Sequence, residues 1–171
     1  QRDKFEQVLQ KLTEVGVAAV VPVLTARSVV REPPDERRQT RWRAILREAA
    51  EQSGRGTIPQ LTAAVPFADA IAQATAEGVT LVGYEQERQQ TLRTALTAVR
   101  PAQRARTVGI FVGPEGGYTP DEAAVAQRAG AHLITLGPRI LRTETASPIL
   151  AALVLYELGD LSSPHAIDDR P

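Results

Sequence analysis

The chain has 171 residues with 20 basic and 20 acidic side chains, so its formal charge is zero and no polybasic tail is present. At 43% hydrophobic and 23% charged residues it falls in the globular range and is long enough for one real core, which predicts a single domain. With no cysteine, disulfide frames, zinc knuckles, iron–sulfur clusters and thiol nucleophiles are excluded, and only two histidines remain for other metals, which predicts no metal catalysis.

The segment Gln1 to Lys11 is charged and amphipathic rather than signal-like, and no apolar run approaches the ~18 residues of a membrane helix, which predicts a soluble, cytoplasmic protein. A start at Gln1 without methionine predicts that the chain was cut from something longer or processed. Phe5, Val8, Leu9 and Leu12 recur at helical spacing before Gly16, and the apolar run Val17 to Leu24 reads as a buried strand. Arg31 to Arg38, with Pro33 and Pro34, reads as a loop. Trp42, Ile45, Leu46, Ala49 and Ala50 mark one face of a helix that stops near Ser53 and Gly54, with Trp42 in the core. A short strand at Ile58 to Leu61, a helix from Pro66 to Glu77 ended by Gly78, a strand Val79 to Tyr84 and a helix bearing Leu92, Leu96 and Val99 follow.

The second half is punctuated more sharply. A strand Thr107 to Gly113 leads to a glycine-rich loop, Pro114 to Tyr118, and then to a helix from Pro120 that stops at Gly130. Thr119, Pro120 and Glu122 supply an N-cap, a pre-set first turn and a capping-box carboxylate. A strand His132 to Gly137, a loop and a final apolar helix complete the order, and the polar tail Ser162 to Pro171 reads as loose. This βα alternation predicts an α/β fold with a mostly parallel sheet, helices on both faces and binding loops at the carboxyl ends of the strands. His132 opens a strand and His165 lies in the tail, so neither reads as a ligand or base.

Lysine occurs only at positions 4 and 11, so eighteen of the twenty basic residues are arginine. Coding bias alone produces such a swap. An RNA-facing surface would require those arginines to be gathered on one side of the fold, which a sequence does not display.

Two segments carry chemistry. Gly113-Pro114-Glu115-Gly116-Gly117 follows a strand and precedes a capped helix, where backbone amides approach a ligand closely. It lacks both the P-loop Lys-Ser/Thr and the dinucleotide spacing, and a tight strand–helix turn explains it equally well. Leu136-Gly137-Pro138-Arg139-Ile140-Leu141-Arg142-Thr143-Glu144-Thr145-Ala146 interleaves charge with apolar residues, which suits an aromatic ligand flanked by charge. A purely structural account makes Thr143 the N-cap, Glu144 the helix-dipole partner, and Arg139 and Arg142 solvated charge.

These two segments, with Thr13-Glu14-Val15-Gly16-Val17 and Glu48-Ala49-Ala50-Glu51-Gln52-Ser53-Gly54-Arg55, resemble the ribosomal RNA small subunit methyltransferase E family over residues 1 to 160. The resemblance implies a SPOUT-type α/β domain over 1–161 with a trefoil knot at about 107–158, S-adenosylmethionine as methyl donor, N3 of a small-subunit ribosomal RNA uridine as acceptor, and a homodimer. It also implies an N-terminal PUA-like RNA-binding domain that this chain lacks. Carried over by motif, the cofactor pocket comprises the loop after the Val79 to Tyr84 strand (Leu81, Tyr84), Gly113, Pro114, Glu115, Gly116 and Gly117, and Leu136, Gly137, Ile140, Leu141 and Thr145. Glu115 either bonds the cofactor or braces the loop.

Uridine N3 methylation needs loss of the imide proton, so the uracil develops negative charge that a cation stabilises. Arg142 is the candidate for that role, and Glu144 either accepts the proton or orients Arg142. Arg27, Gln52, Arg55 and Arg139 are assigned to an RNA-facing rim, against the alternative that Arg27, Gln52 and Arg55 form an internal polar network. Two rivals stand beside this reading. One is a ribose 2′-oxygen methyltransferase, disfavoured because Leu141-Arg142-Thr143-Glu144 stands where that group carries Ser-Leu-Asn; the other is a non-catalytic RNA-binding or ribosome-assembly factor.

Overall fold

The computed structural model describes residues 4–28, 32–98 and 107–162. Helix α1, Lys4–Val15, buries Val8, Leu9 and Leu12, the stripe that its spacing predicts. The following apolar run is not one buried strand. It forms two strands of two residues, β1 (Ala19–Val20) and β2 (Val23–Leu24), because Pro22 between them has no N–H to give to a ladder. β1 pairs in parallel with β3 (Gln60–Leu61), and β2 with β4 (Val65–Pro66). Backbone bonds from Gln60 to Ala18, Thr62 to Val20 and Val65 to Pro22 connect the two pairs. The step from 62 to 65 opposite 20 to 22 accommodates one extra residue, a local bulge that bends the edge.

The loop expected over 31–38 is shorter than its composition suggests. Asp35 caps helix α2 (Glu36–Gln52) by accepting from the Arg38 N–H, so Glu36 to Arg38 are already helical. Trp42 is buried, 4.4 Å from the ring of Phe5, and with Leu46 and Ala151 it joins the α1 stripe in one core cluster.

The rest is a three-stranded parallel sheet, ordered β6-β5-β7, in which β5 (Gly78–Gly83) lies between β6 (Thr107–Val112) and β7 (His132–Ile134). Alternation along β5 assigns its side chains to opposite faces. Val82 packs with Phe67, Ile71, Phe111 and Ala126 under α3 (Phe67–Glu77) and α5 (Pro120–Arg128). Val79 and Leu81 pack with Leu92, Leu96, Leu150 and Val154 under α4 (Leu92–Ala98) and α6 (Thr143–Leu158). Helices on both faces of a parallel sheet match the expected class. β7 is shorter than the expected strand and continues only as a bridge between Thr91 and Thr135. The expected α4 residue Val99, the tail from 163 and His165 lie outside the described residues.

Candidate cofactor and catalytic site

The sheet register places the site. Gly83 pairs with both Val112 and Ile134, so three parallel strands end level and their following loops, 84–91, 113–119 and 135–142, leave side by side. Carboxyl ends of parallel strands are where open α/β sheets bind ligands.

The first loop is held from within. The Glu87 carboxylate accepts from the backbone N–H groups of Arg88 (2.8 Å), Gln89 (2.7 Å) and Gln90 (3.0 Å), and these bonds, Gln90's foremost, hold its pKa below the ordinary glutamate value. The Gln90 carbonyl accepts from the Thr135 N–H at 2.9 Å, joining the first loop to the third.

In the second loop, Gly117 donates to the Pro114 carbonyl at 2.8 Å and adopts φ +64°, a left-handed turn that favours glycine. A Cβ there would also overlap the Glu85 carboxylate, which lies against the Gly117 Cα. Tyr118 beside it is buried, its ring 4.9 Å from that of Phe67, and burial pushes its phenol pKa up. Thr119 and Glu122 form the predicted capping box. Glu122 does more than cap, since its other oxygen accepts from the Ala26 N–H at 2.8 Å. Arg27 donates to the Gly116 carbonyl at 2.7 Å, and a Cβ on Gly116 would meet the Arg27 stem at 3.2 Å. The 25–28 segment therefore clasps the glycine loop. At its tip, Glu115 bonds Lys4 at 2.7 Å, which lowers the Glu115 pKa and raises that of Lys4.

The third loop runs into α6. Thr143 is not the N-cap: Arg142 occupies that place, and the Thr143 hydroxyl donates instead to the Gly113 carbonyl at 2.8 Å. Arg142 is exposed and Glu144 half-buried, with Glu144 Oε2 buried and unpartnered among the described residues. Both groups act electrostatically on Lys4, so Lys4, Glu115, Arg142 and Glu144 form one charged neighbourhood.

The three loops hold Tyr84, Gly113 to Gly117, Leu136, Gly137, Ile140 and Leu141, while Thr145 lies in the first turn of α6 and is exposed. Leu81 lies beneath it, fully buried among Leu92, Ile134 and Leu150, and forms its floor rather than its lining. Ile140 is 85% exposed, an apolar side chain held out from the third loop. Arg139 is exposed beside it. Arg55 does not belong to a rim: it donates to the Thr13 carbonyl at 2.9 Å and to the Gly16 carbonyl at 3.3 Å, supplying the cation that the last turn of α1 lacks. Gln52 lies at the opposite end of α2 from Arg41, beside a groove lined by Gln10, Ile45 and Glu48. Arg27 is exposed and bonds the glycine loop rather than Gln52 or Arg55, so the three do not form one internal network. Sequence reasoning gave no site role to Lys4, Glu85, Glu87 or Thr143; Glu85 and Glu87 fall in the loop after a predicted strand and Thr143 in the 136–146 segment, so of the four only Lys4 carried no signal.

Comparison with known proteins bears on this geometry. The RNA methyltransferase domain family matches residues 1–155. Ribosomal RNA small subunit methyltransferase E of Bacillus subtilis is 34% identical over 158 residues, 91% of this chain and 62% of the relative. The chain spans 48% to 62% of the three curated relatives from Bacillus subtilis, Synechocystis and Mesomycoplasma hyopneumoniae. A methyltransferase from Legionella pneumophila, solved in complex with the bound cofactor SAM, superposes with TM-score 0.78 at 30% identity, over 92% of this chain and 62% of that one. Ribosomal RNA small subunit methyltransferase E from Neisseria gonorrhoeae, bound to S-adenosyl methionine, gives TM-score 0.76 at 33% identity over the same shares.

Proposed function

The chain belongs to the RNA methyltransferase domain family, and we propose from that premise that it transfers a methyl group from S-adenosylmethionine to N3 of a uridine in small-subunit ribosomal RNA. The observation that carries this reading is the level ending of β5, β6 and β7, which presents three cross-tied loops as one cradle. The residues fit the donor through apolar contact: Tyr84, Leu136 and Leu141 are half-buried and Ile140 is exposed in the loops beside the glycine turn, whose Gly113 and Gly116 carbonyls are already taken by Thr143 and Arg27. When bound, S-adenosylmethionine supplies an electrophilic methyl carbon on a sulfonium.

The chain's own residues do the rest. Arg142, exposed at the start of α6, stabilises the negative charge on a uracil that has lost its N3 proton. Glu144, two residues on, with Oε2 buried and unpartnered among the described residues, takes that proton. Alignment of the base against the donor supplies rate in addition, up to ~7–11 kcal/mol in favourable cases. In this reading residues 1–161 are the catalytic unit, threaded as a knot over about 107–158, and the reaction takes place in the cytoplasm on ribosomal RNA. Two copies pair through the exposed apolar face of α6, Ile149, Leu153 and Tyr156.

The test is calorimetric titration of the purified chain with S-adenosylmethionine, followed by transfer of labelled methyl to small-subunit ribosomal RNA and mapping of the product base. Saturable binding with label at uridine N3 is expected. Binding without transfer to any RNA would favour a non-catalytic RNA-binding role, and label on ribose would favour the 2′-oxygen chemistry.

A further inference from the structure

The arginine surplus has a location. Over residues 36–47, the first three turns of α2, Arg37, Arg38, Arg41, Arg43 and Arg47 face a single acidic residue, Glu36, and all five arginines are exposed. The apolar face of the helix, Trp42, Leu46, Ala49 and Ala50, is turned into the core, and the arginines occupy the exposed arc that remains, Arg41 toward α1 and Arg43 and Arg47 on the opposite flank. Arg37 with Arg41 and Arg43 with Arg47 are four residues apart, so like charges neighbour each other at a cost to the isolated helix. The fold relieves little of this. Arg41 is held by Glu6 through two contacts of 2.7 Å, and Arg43 reaches Gln39 at 3.2 Å. The side chains of Arg37, Arg38 and Arg47 have no hydrogen-bonding or ionic partner among the described residues.

Two further observations give this surface a direction and a chemistry. α1 and α2 run side by side in the same sense, since Phe5 and Glu6 meet Trp42 and Arg41 while Thr13 meets Arg55. The arginine-rich start of α2 thus lies at the end of α1 where Lys4 bonds Glu115 of the second cofactor loop. On the other flank, Arg43 and Arg47 line a groove with Leu46, Pro59, Leu61 and Ile58, and Ile58 is 52% exposed. Guanidinium forks beside an apolar shelf match a polyanion that also offers sugar and base surface.

We propose that the outer face of α2, with Ile58, is a phosphate-backbone docking surface for RNA that extends the substrate strand toward the methyl-transfer site. This rests on the RNA methyltransferase reading above. The occupant is RNA rather than an acidic protein because the arginines form two rows along a helix, a spacing suited to successive phosphates, and because apolar contact stands next to them.

The test measures affinity for a labelled RNA duplex of arbitrary sequence as a function of salt, for the intact chain and for a variant combining Arg37→Ala, Arg38→Ala, Arg43→Ala and Arg47→Ala. Arg41 is spared because its loss would strand the buried Glu6 carboxylate. An Arg128→Ala variant, exposed on α5, is the control. Expected are a loss of at least about tenfold in low-salt affinity and a log–log salt slope shallower by about three to four in the combined variant, with the control unchanged. An unchanged slope in a variant of unchanged thermal midpoint would overturn the proposal. So would an equal loss in the control, or displacement of RNA by polyglutamate at equal charge concentration. Titration with S-adenosylmethionine separates the two readings: failure to bind it with the salt response intact removes methyl transfer and leaves the surface, and the converse removes only the surface.

Discussion

The Thr143 hydroxyl donates to the Gly113 carbonyl at 2.8 Å, tying the first residue of α6 to the first residue of the glycine loop thirty positions earlier. The helix that presents Arg142 and Glu144 is thereby fixed to the loop that would hold the donor, so cofactor geometry and catalytic geometry share one bond. Replacing Thr143 by valine keeps the shape and removes that bond. A lost hydrogen bond of this kind is worth about 1 kcal/mol, or roughly fivefold in affinity for S-adenosylmethionine by calorimetry. Thr143→Ser should restore it. Equal affinity in the valine variant would mean that the two loops are held independently.

Gly117 is constrained twice over, by φ +64° and by the Glu85 carboxylate lying where a Cβ would go. Gly117→Ala is expected to lower the thermal midpoint and weaken cofactor binding together. Adding Glu85→Ala should recover the steric part only, leaving a backbone cost of about 1 kcal/mol. Full recovery would show that the left-handed turn itself is unstrained.

How far the chain was legible depended on whether the deciding contacts were local. The capping box at Thr119 and Glu122, the core place of Trp42 and the strand–loop–helix order of the second half follow from spacing over a few residues, whereas the level ending of the strands comes from their register. Pro22 splits a strand because it has no N–H to give to a ladder, and the apolar periodicity of Val17 to Leu24 does not register that missing donor. Thr143 and Arg55 failed because their partners are distant in sequence. Thr143 is a good N-cap residue beside Arg142, and only the proximity of Gly113 gives its hydroxyl another acceptor. Arg55 looked like a surface arginine until α1 brought two terminal carbonyls to it.

The Lys4–Glu115 pair predicts a pH window for the tip of the glycine loop. Glu115, whose folded pKa is depressed chiefly by the Lys4 bond, contributes stability above the unfolded glutamate value and loses it as pH falls through its folded pKa. Lys4, whose folded pKa is raised, contributes below the ordinary lysine value and loses that contribution as pH rises through its own. The tether therefore holds from acid just below the ordinary glutamate range to alkali just above the lysine range. Each side chain is about half exposed, so added salt should weaken it. Amide exchange at 115–117, corrected for intrinsic rate, should quicken at either edge, and Lys4→Gln should abolish the acid edge. A variant that keeps the acid edge would assign it to another carboxylate.

Ile149, Leu153 and Tyr156 recur at helical spacing on the outer side of α6 and are 39%, 43% and 56% exposed. A single apolar side chain on a surface is ordinary, but a stripe about two turns long is the face through which the proposed pair would form. Leu153→Asp places a charge at its centre while leaving the buried face, Leu150 and Val154, untouched. Sedimentation should show the intact chain as a dimer at micromolar concentration and the variant as a monomer. A monomeric intact chain would remove the stripe from any self-association.

Arg142 is exposed at the N-cap position of α6, makes no side-chain cap bond and has no side-chain partner among the described residues. Its removal should therefore cost the fold little. Arg142→Ala is expected to leave the thermal midpoint and the affinity for S-adenosylmethionine unchanged while lowering methyl transfer by about 10²–10³, the usual cost of losing one charge-stabilising donor. Arg142→Lys should restore part of the rate, since the charge returns without the planar fork. Glu144→Gln keeps the shape beside it but removes the proton acceptor, so its activity should depend on pH more steeply than that of the parent as solution hydroxide takes over. Loss of donor affinity in Arg142→Ala would instead place this arginine in the cofactor pocket.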